Sequence, residues 1–197
     1  MSGQSVRDRI LDAGFAAFIA RGYAATSTAE IAARARVSKR ELYALVGNKQ
    51  QLLVACIAER ARRLRLPGEL PPIRDRATLA HVLASFGAQL LREVSDPTVI
   101  ATFRLAVSEA VRAPEVAQAL DSIGRESTRV ALQSIMAQAK TWRLVNGRPS
   151  DLAQLFGGLL FGDLLVSLLL GVAKRPSLKE IKKRAEIAAA AFLRLSR

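Results

Sequence analysis

Two copies of the pattern Ser-x-x-Glu, Ser27 to Glu30 and Ser38 to Glu41, stand eleven residues apart. In each, the Ser oxygen can accept a backbone N–H of the first helical turn while the Glu side chain reaches back to the N–H of the Ser. Two helix starts this close allow only two short helices, over residues 28–35 and 39–45, with Ala35-Arg36-Val37 between them. Neither is long enough to persist alone in water. They must pack on each other, with Ile31, Val37, Leu42 and Leu45 as shared core and Ala32 small where they cross. A third partner precedes them. Val6, Ile10, Ala13, Gly14, Ala17 and Phe18 share one helical face, and Gly22 in Arg-Gly-Tyr stops it. This is the layout of a helix-turn-helix, whose second helix can enter the DNA major groove.

The placement of charge points the same way. Lys39 and Arg40 fall in the first turn of the second short helix, and Lys49 in the first turn of a helix that Asn48 can cap. The backbone dipole is positive at that end, so cations there cost stability. A phosphate reverses the sign: it is held by the free N–H groups and by the cations, and it releases counterions when bound. Tyr43, one turn on, can reach a phosphate or a base edge. The chain carries a net charge of +13 and a pI of about 11.1. Residues 1–66 hold 12 Lys/Arg against 5 Asp/Glu, a denser excess than in the rest. A solvated face on an ordinary helical hairpin accounts for charge alone. It does not account for the paired caps, the tight turn and the basic bias together.

The remaining sequence predicts an all-α chain of about nine helices, since long Ala/Leu/Arg-rich runs dominate and β-branched alternation is nearly absent. Helices are expected over 48–66, 74–94, 98–112, 114–142, 151–173 and 178–195. Pro67 to Pro72 breaks the pattern and marks a boundary. The expected organisation is a DNA-binding domain over 1–48, a connecting helix over 49–66 and a second domain over 67–197. Leu152 to Ala173 is 22 residues with one charge, Asp163, and could span a bilayer. A central Asp costs about 2.5–3.5 kcal/mol there. A helix that is apolar all round is equally at home in a core or a subunit interface, which Gly157, Gly158 and Gly162 favour through close helix approach. Membrane anchoring through 152–173 is the alternative.

Other chemistry is poorly supplied. His81 and Cys56 are the only residues of their types, so no cysteine–histidine metal cluster or Ser-His-Asp arrangement is available. Neither a metal nor a cofactor is expected, and no enzymatic activity. A lone cysteine fits a reducing compartment, and Met1 to Ile10 lacks the apolar core of a signal peptide. A cytoplasmic protein is expected.

Residues Ile10 to Leu53, with Phe…Gly-Tyr…Thr-Ser…Ile-Ala…Val-Ser-Lys…Leu-Tyr…Lys…Leu-Leu, resemble the N-terminal domain of the TetR (tetracycline-repressor) family. Phe103 to Leu120 more loosely resembles a C-terminal domain type of one branch. The resemblance implies an N-terminal helix-turn-helix domain joined to a helical ligand-binding and dimerisation domain. It implies a homodimeric regulator of a near-palindromic double-stranded operator, a repressor relieved by a small apolar or amphipathic effector. A sequence-neutral architectural DNA binder is the alternative.

By position, Ser27 and Thr28 would meet phosphate, Lys39 and Arg40 would lie at the groove, and Tyr43 and Lys49 would clamp the backbone. Arg36 stands where the family has a turn glycine. If left-handed, it costs about 1 kcal/mol more than Gly, offset by a phosphate contact. Leu45 and Val46 replace the family's aromatic pair. An effector pocket would draw on Phe86, Leu90, Phe103, Val107, Ile135 and Phe161, for each of which plain core packing is the competing reading. A dimer interface would draw on Phe156, Leu160, Asp163, Ala188, Ala189 and Phe192.

Overall fold

Polar caps start most of the helices. In the computed structural model, which describes residues 5–62 and 72–196, Ser5, Ser27, Ser38, Asp75 and Ser177 each accept a backbone N–H three residues on. Residues 67–71 of the expected proline break, and the end of the helix expected to reach residue 66, lie outside the described residues. Among those described there are eleven α-helices, one π-helical segment and no strand. The chain forms two compact units: Met1–Leu64 with Ala101–Gly124, and Arg65–Ile100 with Arg125–Arg197.

The first unit holds α1 (Val6–Ala25), α2 (Thr28–Ala35), α3 (Lys39–Val46) and α4 (Lys49–Arg62), with the later part of α6 (Pro97–Glu109) and α7 (Pro114–Ala119). Gly22, with φ 76°, breaks α1 where the sequence places its stop. Thr26 secures the exit by donating its hydroxyl to the Gly22 and Ala17 carbonyls at 2.7 and 3.2 Å. Ile10, Leu11, Phe18, Ile31, Leu42, Leu52 and Ile57 form the core, joined by Leu105 and Val116. Leu45 is exposed, against expectation, and Val46 is buried instead. Positions 42 and 46 lie one turn apart on the inward side of α3, and 45 is turned off it.

Cys56 lies in this core, where its thiol donates to the Leu11 carbonyl at 3.3 Å. Burial pushes its pKa up from 9.0 to about 12. The native state therefore favours the neutral thiol, a contribution fully present below pH 9.0 and lost as pH rises towards 12. The full shift corresponds to about 4 kcal/mol. Cys56→Ala should flatten the decline of stability above pH 9.0, read by denaturant unfolding at stepped pH. Thiol reagents should label Cys56 only after unfolding; rapid labelling of the native protein would contradict the burial.

The second unit holds α5 (Arg76–Val94), α8 (Glu126–Thr141), α9 (Pro149–Phe161), α10 (Leu164–Leu170) and α11 (Leu178–Leu195). Its core gathers Leu79, Val82, Phe86, Met136, Phe156 and Phe192. Arg76 ties three helix ends together, donating to the carbonyls of Leu144, at 2.8 Å, and Leu193.

Two expected long helices are interrupted. The run 114–142 passes through a π-helical segment, Leu120–Arg125. The run 151–173 breaks at Gly162, with φ 48° and ψ −124°, and α9 and α10 are bent by 53°. Arg184 holds this break, donating to the Leu160 and Phe161 carbonyls at 2.8 and 2.6 Å. A Cβ at residue 162 would stand 2.9 Å from its guanidinium. No single described helix is long and apolar enough to cross a membrane, although the bent pair passes that test together. Nor is this stretch apolar packing all round: Leu152, Ala153, Phe156 and Leu160 are buried, while Leu155, Val166 and Leu170 are exposed.

Candidate nucleic-acid interface

The turn between α2 and α3 is closed by two backbone bonds. Val37 N–H donates to Ala32 O at 3.0 Å and Arg36 N–H to Ala33 O at 3.2 Å. This double closure needs a left-handed residue, and Arg36 supplies it at φ 56° and ψ 50°. Arg9 adds a bond from its Nε to the Ala35 carbonyl at 3.4 Å. The connection is therefore rigid although no glycine serves it.

The two expected capping boxes are only half made. Ser27 and Ser38 accept the N–H of Glu30 and Glu41 at 3.1 and 3.0 Å. The Glu30 carboxylate turns to Arg21 instead, at 3.1 Å, and Glu41 makes no return bond among the described residues. Full reciprocity occurs at Ser177/Glu180 and at Asn48/Gln51, where both bonds are 2.9 Å. Gly47 precedes this last box with φ 73° and ψ −151°, a conformation that favours glycine.

Thr28 and Tyr43 are brought together, hydroxyl to hydroxyl, at 3.0 Å. Tyr43 is exposed, and the Lys39 ammonium lies 5.9 Å from its ring centre. Ser27, Arg36, Lys39 and Arg40 are also exposed. Lys49 opens α4, donates to the Ala24 carbonyl at 3.2 Å and lies 4.5 Å from the Tyr23 ring centre. Sequence reasoning left Tyr23 in the role of a helix stop. The signal was its neighbour Gly22, which turns the chain so that the ring meets Lys49. Burial raises the Tyr23 pKa, and the charges of Glu109 and Glu115 raise it further.

The residues expected at an effector pocket separate. Phe86, Leu90 and Ile135 are buried in the second unit's core, with Phe161 packed partly against it. Phe103 packs against the first unit's core, and Val107 is 66% exposed. The expected dimer residues need correction. Phe156, Leu160, Ala188, Ala189 and Phe192 are buried within the subunit's own core, because the apolar stripe of α11 faces α5 and α9. Asp163 alone is outward, 3.7 Å from Arg184.

Two eight-residue helices set across a left-handed turn, with hydroxyls and cations along the entrance of the second, define a helix-turn-helix DNA-binding protein. Residues 10–56 match the family model of bacterial regulatory proteins of the tetR family. Residues 81–195 match that of the C-terminal domain of AefR-like transcriptional repressors. The chain belongs to the TetR family of transcriptional regulators. No curated protein matches it significantly. Among solved structures, a TetR transcriptional regulator from Agrobacterium tumefaciens is 26% identical with a TM-score of 0.84, over 97% of this chain and 94% of that one. The flavonoid-responsive regulator FrrA is 27% identical with a TM-score of 0.81, over 98% and 97%. A TetR-family regulator from Mesorhizobium loti is 22% identical with a TM-score of 0.80, over 96% of each chain, and shares the fold.

Proposed function

We propose that the protein acts in the cytoplasm as a homodimer that reads a near-palindromic duplex operator and represses transcription until a small effector releases it. The observation that carries this reading is the entrance of α3 and α4. There Lys39, Arg40 and Lys49 stand at helix starts, and the hydroxyls of Thr28 and Tyr43 are linked, with Lys39 near the Tyr43 ring. Ser27, Thr28 and Arg36 are assigned to phosphate, Lys39 and Arg40 to the groove, and Tyr43 and Lys49 to the backbone clamp. Selecting bound fragments from random-sequence duplex tests the reading. The expected product is an inverted repeat with half-sites about one helical turn or more apart. Recovery of unenriched sequence would favour an architectural DNA binder instead.

Self-association is assigned to the outward side of the last helices. Leu155, Val166 and Leu170 on α9 and α10, and Ile187 and Leu195 on α11, are exposed apolar residues. Cβ atoms added at Gly157 or Gly158 would meet nothing within 4 Å of their own subunit, leaving room for a second copy. The effector is assigned to the apolar and amphipathic class. The similarity to a regulator named as flavonoid-responsive supports that class. Phe86, Leu90, Ile135 and Phe161 are the positions against which such a molecule would lodge.

Arg36→Gly separates stability from binding. Removing the left-handed side-chain strain should raise unfolding stability by about 1 kcal/mol. Loss of its phosphate contact should weaken DNA binding and reduce the log–log salt slope by about 0.9. Anisotropy titrations over a salt series, beside a denaturant melt, read both effects.

A further inference from the structure

A groove of about 660 Å³ opens between the end of α5, the start of α10 and the segment that leads into α11, all within the second unit. Its size is that of a small-molecule site, about 300–1,000 Å³. Leu91, Leu164 and Ile181 give it apolar walls, and Lys174, Arg175 and Arg184 bring three cations to it. None of Phe86, Leu90, Ile135 and Phe161, the positions assigned above to the effector, lines it. The carboxylate on the groove, Glu180, is committed to the cap of α11. Its Oε2 accepts the N–H and the hydroxyl of Ser177, both at 2.7 Å.

The three cations differ in how firmly they are held. Arg184 is fixed: its Nε donates to the Leu160 carbonyl at 2.8 Å and its Nη2 to the Phe161 carbonyl at 2.6 Å. Asp163, at 3.7 Å, also approaches Nη2. The Nη1 makes no bond among the described residues, which leaves two N–H groups of an oriented guanidinium for a ligand. A donor fixed beforehand loses little freedom on binding. Arg175 is held more loosely, by the Arg92 carbonyl at 3.4 Å and Asp96 at 3.6 Å. Lys174 is exposed and makes no ion pair among the described residues. Cations alone suit any anion, and apolar walls alone suit any hydrocarbon. Together they select a molecule that has both parts. We propose that this groove binds an amphipathic anion, an acid group carried on an apolar chain. The acid group lies on Arg184 and Lys174, and the chain lies against Leu91, Leu164 and Ile181.

Calorimetric titration of the full-length protein without DNA tests it, with decanoate below its micellar concentration as the probe. Decanoate should bind, and octanoate should bind about tenfold more weakly, because two methylenes are lost from the apolar walls. Decan-1-ol has the chain without the charge, and inorganic phosphate has the charge without the chain. Each should bind at least about tenfold more weakly than decanoate. Lys174→Met should weaken decanoate by about two- to fivefold, the scale of one exposed ion pair, and leave decan-1-ol unchanged. Decan-1-ol as tight as decanoate would make the groove merely apolar, and phosphate as tight would make it a plain anion patch. Either result overturns the proposal, as does a failure of decanoate to bind. Arg184→Met should weaken decanoate further. Should that variant not fold, since Arg184 also holds the break at Gly162, the double variant of Lys174→Met and Arg175→Met carries the test. Decanoate affinity unchanged in the double variant would place the ligand elsewhere, the effector position included, and would overturn the proposal.

Discussion

Replacing Lys39, Arg40 and Lys49 together by alanine should lower affinity for duplex DNA by about two to three orders of magnitude at about 0.1 M salt. Each residue is a first-turn cation, at the start of α3 or α4. In the free protein the helix dipole opposes such charges, by about 0.3–1 kcal/mol each near the surface. In the proposed complex Lys49 would clamp a phosphate while Lys39 and Arg40 would lie at the groove, and each phosphate so neutralised would contribute about 0.9 to the log–log salt slope. The triple variant should therefore lose at least about 0.9 from that slope. Its stability should stay close to that of the parent, because relief from the dipole offsets the loss of the Lys49 bond to Ala24. A salt titration and a thermal melt on the same sample separate lost contacts from lost structure. An unchanged slope with reduced affinity would move the phosphate contacts elsewhere on the protein.

The reading head was legible because its signals are local. Ser27 and Ser38 start the two short helices where their spacing requires, and the face of Ile10, Ala17 and Phe18 is buried as the helical period demands. What failed there depended on tertiary partners. Glu30 leaves its capping role for Arg21, an exchange a local pattern cannot express. In the second unit the apolar stripe of α11 was correctly spaced, yet its direction was not. Ala188, Ala189 and Phe192 face their own subunit, whereas Ile187 and Leu195 face outward. Periodicity gives the angle between two faces of a helix but does not say which one the partner helix takes. The break at Gly162 was hidden for a related reason. The residue that satisfies the freed carbonyls, Arg184, lies on another helix. The burial of Glu109 was invisible as well, since a Glu one turn from apolar residues reads as an ordinary exposed position.

The direction of the α9 and α11 faces yields the second large effect, the replacement of Phe156. Its ring is fully buried and meets Phe192 edge to face, at 5.9 Å between centres and 85° between planes. It packs onto α5 at Gly87, where an added Cβ would lie 3.3 Å from the Phe156 ring tip and 2.9 Å from the Leu160 side chain. Removing a fully buried ring leaves a void its neighbours fill only in part, so Phe156→Ala should cost about 3–5 kcal/mol. For a chain of this size that lowers the melting temperature by roughly 10 °C. The neighbouring Leu155, 36% exposed on the outward side, should respond differently. Leu155→Asp should weaken self-association in sedimentation while preserving helical content, because it places a charge on the face assigned to a second copy and leaves the core filled. If instead Phe156→Ala dissociated the protein without lowering its melting temperature, the buried side of α9 would be the subunit interface after all, and the orientation of both helices would have to be reversed.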